Sequence, residues 1–406
     1  MPEFPTMLLF DEAVDALQAA ARARRLPVEA LVLSRCHGRV LASDVHAPID
    51  LPPFDNSAMD GFACRRADVP ADAAVSLRLV GTQFAGRAMP LVVGQGECVR
   101  ITTGAPMPEG ADMVAIREDA QVEGDRVTLS PGAASGQHVR HAGEDCRAGT
   151  CVLAAGTALN PAHVGLAAAL GIDRLPVSAR PTVAVFTGGD ELVEPGLPLQ
   201  RGEVYNSNRD LLMGLLRADG LEPVAWPTLP DDPARIAAML GDAAASFDLV
   251  LSCGGVSAGD KDLVPRFLQA HGDVRFWKVR MKPGMPVLSG ALGRAELLGL
   301  PGNPVAVLAT YLTLGRTLID GMQGRAPRPR VHARLAAAID KTHARREFLR
   351  GRLASDADGC QWIVPDAQAA GSHRLRAAAD ANALLVLGEG PCRLERGDVV
   401  EVLTYG

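Results

Sequence analysis

Between residues 182 and 300 the apolar residues gather in short continuous runs, and each run stops at glycine or proline. The runs 182–186, 248–252 and 296–300 read as buried strands. Between them the spacing becomes helical. Residues 209–219 follow the capping string Asn206-Ser-Asn208 and close at Gly220, and 234–245 begins after Asp231-Asp-Pro233. Strands at 223–229 and 274–280 and a helix from 304 complete an alternating βα unit. That alternation predicts a three-layer αβα sandwich on an open parallel sheet. Elsewhere the pattern differs. Residues 11–24 predict a helix with Asp11 as N-cap and Val14, Leu17 and Ala21 on one face. Residues 46–62 lose all periodicity around the proline pair Pro52-Pro53 and read as a loop. From about 75 to 130 short β-type runs are broken by glycine and proline, which predicts a small β-rich domain. A helix from Pro161 to Gly171 precedes the αβ unit. After the proline–arginine linker 325–330, runs at 331–339, 346–354, 361–365, 383–387 and 399–403 predict a small barrel.

Composition narrows the class. A chain of 406 residues exceeds one hydrophobic core, so about two to four domains are expected. Hydrophobic residues at 48% and charged residues at 22% fit an ordinary folded protein. The net charge of −6 without a basic block, and only 4% aromatics, argue against nucleic-acid binding. No run of about 18 apolar residues occurs, so no spanning helix is expected. The first ten residues lack a basic region and a long apolar core. No secretory signal and a cytoplasmic location are therefore expected. The eight cysteines are scattered without C-x-x-C spacing, which predicts free thiols and no structural zinc site.

Candidate chemistry sits where the apolar runs end. Thr187-Gly-Gly-Asp-Glu191, Gly254-Gly-Val-Ser257 and Pro301-Gly-Asn-Pro304 follow the three runs. Strands ending in glycine turn bare backbone N–H groups toward a ligand, which suits phosphate or another oxyanion. Such turns converge on one crevice in an open sheet. Asp190 and Glu191 offer carboxylate oxygens for a hard cation, with Asp260 and Asp262 as further candidates. Asp231 reads equally as a helix cap or as a site carboxylate. Lys278 and Lys282 lie at the end of the 274–280 run. If 276, 278 and 280 share a face, both lysines reach an anion in the crevice. These residues alone point to an αβ domain for a phosphate-bearing ligand, with an acidic, metal-type loop.

Ordered motifs along nearly the whole chain add a resemblance. Asp55-Asn-Ser-Ala-Met-Asp-Gly61, Thr103-Gly-Ala-Pro106, Gly143-Glu-Asp145, the three glycine turns and Lys282-Pro-Gly284 together resemble the MoeA/gephyrin E-domain family of molybdenum cofactor biosynthesis. The resemblance implies four domains: a discontinuous linking unit at 1–46 and 147–177, a β-rich domain at 47–146, the αβα molybdopterin-binding domain at 178–327 and a C-terminal β-barrel at 328–406. It implies a homodimer, a divalent cation such as Mg2+, and insertion of molybdate into adenylated molybdopterin with release of AMP. Carried over residue by residue, Asp60, Thr103, Glu191, Asp231 and Asp262 become the catalytic candidates. Asp190, Glu191 and Asp262 become those for the metal. Asp145, Arg140, Gly254, Gly255, Ser257, Lys278, Lys282, Pro301, Gly302, Asn303, Pro304, Arg350 and Ser372 become those for substrate. Met285 departs from the family, which often has a lysine there. Expected partners are a second copy, the adenylyltransferase that makes the substrate, and factors that mature molybdoenzymes. Two alternatives stay open: the adenylyltransferase itself, disfavoured because that activity needs only the αβ domain, and a gephyrin-like scaffold.

Overall fold

Seven strands form the central sheet, in the spatial order Thr6–Leu8, Asp273–Val279, Leu288–Leu292, Ala295–Leu300, Leu249–Cys253, Val183–Thr187 and Val224–Ala225. The computed structural model describes residues 4–132, 134, 136–256, 263–366 and 374–405. The last four strands of the sheet run parallel. Apolar residues cover both of their faces, which explains their continuous apolar character. On one face, Leu17, Leu212, Leu216 and Leu318 from helices Phe10–Ala23, Ser207–Ala218 and Arg316–Gln323 pack with Val185 and Leu251. On the other, Ile236, Leu240 and Leu268 from Pro233–Ser246 and Leu263–His271 pack with Ala184 and Val250. The unit is a three-layer αβα sandwich.

The sheet is mixed, where an open parallel one was expected. Leu288–Leu292 runs antiparallel to both of its neighbours, because a tight turn at Gly293, with φ of 58°, folds it back on Ala295–Leu300. The strand expected at 223–229 shrinks to Val224–Ala225. Pro223, Pro227 and Pro230 each lack the N–H that a ladder needs.

The N-terminal helix, expected within the linking unit, packs instead on the αβ sandwich. Thr6–Leu8 pairs in parallel with Asp273–Val279 and delivers the chain to it. Helix Phe10–Ala23 crosses Arg316–Gln323 so closely that a Cβ on Gly321 would lie 2.5 Å from that of Ala21. Asp11 is not its N-cap. Leu9 holds that position, its N–H donates to Glu12 at 2.8 Å, and Asp11 pairs with Arg346 at 2.6 Å.

Three smaller units complete a multidomain α/β plus β fold. A six-stranded sheet is built from Met113–Ile116, Gly61–Cys64, Glu97–Ile101, Val75–Gln83, Arg126–Leu129 and Ala120–Glu123. In a linking unit Val28–Val32 pairs with Arg174–Ser178 and Val45–His46 with Cys151–Leu153. They share a core of Leu41, Leu159 and Leu175. Near the C-terminus Arg346–Ser355, Gln361–Pro365, Val331–Leu335, Val399–Thr404 and Ala383–Leu387 close into a five-stranded barrel. A short strand of the αβ unit, Met281–Lys282, joins the start of Arg346–Ser355 in parallel, with Lys282 opposite Glu347. No described helix is long and apolar enough to cross a membrane.

Candidate active site

The three glycine turns meet at the carboxyl edge of the parallel strands. Val183–Thr187 has Val224–Ala225 on one side and Leu249–Cys253 on the other, so the chain order reverses there and opens a crevice. The N–H of Gly188 donates to the Cys253 carbonyl at 2.9 Å, and that of Gly254 to Leu300 at 3.1 Å. A Cβ on Gly254, whose φ is 87°, would lie 2.7 Å from the Gly188 carbonyl oxygen. Any side chain there would push the turns apart. Gly302 closes the group, its own Cβ position 3.7 Å from the Gly254 Cα.

A cleft of about 410 Å³ opens beside these turns, lined by Asp190, Glu191, Asp231, Gly254, Gly255 and Gly302. The Glu191 carboxylate folds back over Gly189, where a Cβ would meet one of its oxygens at 2.6 Å. That side chain could swing aside, and it is the Gly189 φ of 135° that calls for a glycine immediately before the acidic pair. The Asp231 N–H donates to Asp190 at 3.3 Å. The helix cap is Asp232, which accepts from the N–H groups of Ala234 and Arg235, so Asp231 lines the cleft and does not cap. Among the described residues no three His, Cys, Asp or Glu side chains are placed to hold a metal alone. Magnesium needs only one or two carboxylates when phosphate oxygens and water supply the rest. Asp190, Glu191 and Asp231 fit that arrangement. Ser257, Asp260 and Asp262 lie outside the described residues.

The Pro301–Pro304 turn is held by its own hydrogen bonds and presents Pro301, Gly302 and Asn303 to a second cleft. Asn303 caps helix Pro304–Thr310 by accepting from the N–H of Val305 at 2.9 Å, with Pro304 in the first turn. One of the turn's carbonyls is also engaged: the buried Asn208 amide donates to that of Gly302 at 2.6 Å. Sequence reasoning took Asn208 only as part of a capping string.

A second cleft, of about 390 Å³, lies at the seam between the αβ unit and the barrel and shares Gly302 with the first. Lys282, Met285, Arg345, Glu347 and Arg350 line it. The Lys282 ammonium sits 2.9 Å from Glu347. The other Glu347 oxygen faces His343 Nε2 at 3.1 Å, which in turn lies 3.3 Å from Lys282. Burial holds the His343 pKa below its ordinary value, with Lys282, Lys341 and Arg345 adding to the effect against Glu347. Arg350 is 2% exposed and pairs with Asp366 at 3.0 Å and the Arg374 carbonyl at 3.1 Å. Ser372 lies outside the described residues. His343, Arg345 and Glu347 escaped sequence reasoning, although the dense charge of 341–350 marks them.

Lys278 lines neither cleft. Positions 276, 278 and 280 do not share a face as expected. Lys278 adopts a left-handed φ of 69°, which breaks the pleat, so Phe276 and Val279 become the buried pair. Its Nζ stands 4.3 Å from the centre of the Trp277 ring. The indole N–H of Trp277 donates to the Val256 carbonyl at 2.8 Å, joining this strand to the second glycine turn. A non-glycine residue in this conformation marks a position under constraint.

The remaining candidates gather on the six-stranded unit. Asp60 accepts from the Thr103 N–H at 2.7 Å and its hydroxyl at 2.9 Å. These bonds, with Arg117 and Arg100 nearby, hold the Asp60 carboxyl below the usual range. Asp55 accepts from the Ala142 N–H at 2.7 Å and faces His141 at 3.2 Å, and its pKa is lowered too, chiefly by that N–H. Asn56 pairs with Arg140 across a short ladder, and the Asp145 N–H donates to Leu51. The three motifs thus form one exposed acidic and basic patch. None of its residues lines either cleft.

Comparison with known proteins covers almost the whole chain. Three family models match: the MoeA N-terminal region (domain I and II) over 8–171, a probable molybdopterin binding domain over 184–320, and the MoeA C-terminal region (domain IV) over 332–405. The molybdopterin molybdenumtransferase of Haemophilus influenzae is 36% identical over 92% of this chain and 93% of its own length. Molybdopterin molybdenumtransferase 2 of Mycobacterium tuberculosis is 38% identical over 91% and 93%. The molybdopterin biosynthesis MoeA protein of Pyrococcus horikoshii superposes with a TM-score of 0.83 at 28% identity, covering 98% of this chain and all of that one.

Proposed function

We propose a reaction for this chain, which belongs to the MoeA family of molybdopterin molybdenumtransferases: it inserts molybdate into adenylated molybdopterin and releases AMP. The protein is a transferase of molybdenum cofactor biosynthesis. The observation that carries the finer reading is Gly302, the residue common to an acidic cleft and a cationic one. The pyrophosphate lies against the glycine turns. Glu191, Asp190 and Asp231 would hold a magnesium ion together with phosphate oxygens and water, with Asp262 as the further ligand that the family resemblance implies, and the ion would supply charge neutralisation for its cleavage. Lys282 and Arg350 receive the oxyanion beyond Gly302, with Ser372 as the further contact that the family resemblance implies, and Lys278 adds positive charge from strand Asp273–Val279, whose Trp277 is tied to the second glycine turn.

Asp60, Thr103, Arg140 and Asp145 stand on a patch that lines neither cleft, so a second copy of the chain brings them to the site. The protein works as a homodimer in the cytoplasm. It takes its substrate from the adenylyltransferase and passes its product to molybdoenzyme maturation factors. The test separates binding from insertion. Asp60→Ala should bind adenylated molybdopterin as wild type does yet release AMP at least about 100-fold more slowly. Lys278→Ala should weaken the binding itself. Normal AMP release by Asp60→Ala, or synthesis of adenylated molybdopterin from ATP by the wild-type protein, would overturn the proposal.

A further inference from the structure

We propose that Arg345 gives the seam cleft its net positive charge and so sets its affinity for a doubly negative tetrahedral oxyanion. The inference rests on the reaction proposed above and assigns a residue that the motifs do not mark. Three cations line the cleft: Lys282, Arg345 and Arg350. The charge of Lys282 is met by Glu347 at 2.9 Å, and that of Arg350 by Asp366 at 3.0 Å. His343, held neutral by burial and by the cations around it, adds none. Met285, on the same lining, adds none either. Among the described residues Arg345 makes no ion pair and no side-chain hydrogen bond. Cancelling the pairs leaves the Arg345 charge as the surplus on the cleft lining, because the buried Lys341 lies off that lining and donates to the His343 and Gly390 carbonyls.

Local structure explains why this arginine, and not its neighbour, is left over. Arg345 immediately precedes strand Arg346–Ser355, of which Arg346 is the first residue, and the two side chains diverge there. Arg346 turns to Asp11 at 2.6 Å and lies over the Phe10 ring. Arg345 remains half-buried on the cleft wall. A guanidinium presents a planar fork of N–H donors that grips two oxygens of one oxyanion, which an ammonium does not. An incoming dianion must compete with Glu347 for Lys282, whereas Arg345 is available without displacing a carboxylate.

The test uses the full-length protein and variants Arg345→Ala, Arg345→Lys and, as a control on the barrel surface, Arg352→Ala. Calorimetric titration with molybdate, and separately with inorganic phosphate, reads binding without turnover. Arg345→Ala should bind molybdate roughly ten-fold more weakly, and Arg345→Lys should recover part of the loss. Arg352→Ala should match wild type. Thermal unfolding of Arg345→Ala should be unchanged, because no partner is left unpaired. In turnover the KM for molybdate should rise while that for adenylated molybdopterin stays constant. Wild-type molybdate affinity in Arg345→Ala overturns the assignment. So does a rise confined to the KM for adenylated molybdopterin, which would make Arg345 a phosphate contact. A wild-type protein that binds molybdate but releases no AMP refutes the reaction alone, because the binding comparison still decides Arg345.

Discussion

The ammonium of Lys282 and the carboxylate of Glu347 meet at 2.9 Å across two structural units, directly opposite each other where Met281–Lys282 pairs with Arg346–Ser355. One contact therefore ties the αβ unit to the barrel and also occupies a cation of the seam cleft. Lys282→Ala should weaken oxyanion binding markedly, and the wild-type affinity should fall steeply with ionic strength. Glu347→Gln should have the opposite effect, tightening oxyanion binding several-fold by releasing Lys282. Titrations of both variants at low and high salt check the pair. Equal effects of the same sign would show that the seam only holds structure.

The same seam predicts a dependence on pH. The His343 pKa is lowered in the folded protein, by burial first and then by Lys282, Lys341 and Arg345. The unfolded chain therefore takes up this proton first as pH falls. Stability linked to His343 is complete above the unfolded value of about 6.5 and declines below it. His343→Gln should flatten that decline in melting temperature between pH 7 and 5. An unaltered profile would place the acid sensitivity elsewhere.

Much of the αβ unit was legible because its signals are local. An apolar run ended by glycines marks both a strand and the turn after it, and the turns at 188, 254 and 302 do converge. What was not legible depends on distant partners. Nothing near Asp11 announces Arg346, more than three hundred residues away, so a capping role looked natural. The strand Leu288–Leu292 was overlooked because Ser289 and Gly290 break its apolar run, and only pairing on both sides makes it a strand. The left-handed Lys278 defeats any argument from alternation. Asp231 and Asp232 could not be told apart until the cap hydrogen bonds were seen.

Asp219 anchors the linker that leads to the barrel onto the αβ unit. Its carboxylate, 5% exposed as a side chain, accepts from Tyr311 and Arg316 at 2.8 Å and from Arg328 at 3.1 Å. Burial acts to raise its pKa, but the two arginines and the tyrosine outweigh this and lower it. The carboxylate's contribution is thus present at neutral pH and lost as pH falls through its folded pKa. Asp219→Ala leaves Arg316 without its carboxylate, and the Tyr311 hydroxyl with only the Leu215 carbonyl at 3.4 Å, and should cost about 3 kcal/mol of stability. Denaturant melts check this, and a change within about 0.5 kcal/mol would contradict it.

The patch that lines neither cleft predicts association. Ile49, Phe54 and Met59 are exposed by 41%, 45% and 42% beside Asp55 and Asp60, and Val28 by 63% on a strand with one partner. Burying them against a second copy would remove an apolar surface and bring the patch to a site. Light scattering at micromolar concentration should return twice the chain mass of 42.6 kDa. A monomer would contradict the shared site.

The most direct test of the whole account is molybdate-dependent release of AMP from adenylated molybdopterin by the purified protein with magnesium. Wild type should release AMP only when molybdate is added. Glu191→Ala, folded to the same melting temperature, should be slower by about 100-fold or more. Release at the wild-type rate from Glu191→Ala, or no response to molybdate in wild type, would contradict a metal-assisted insertion site at the glycine turns.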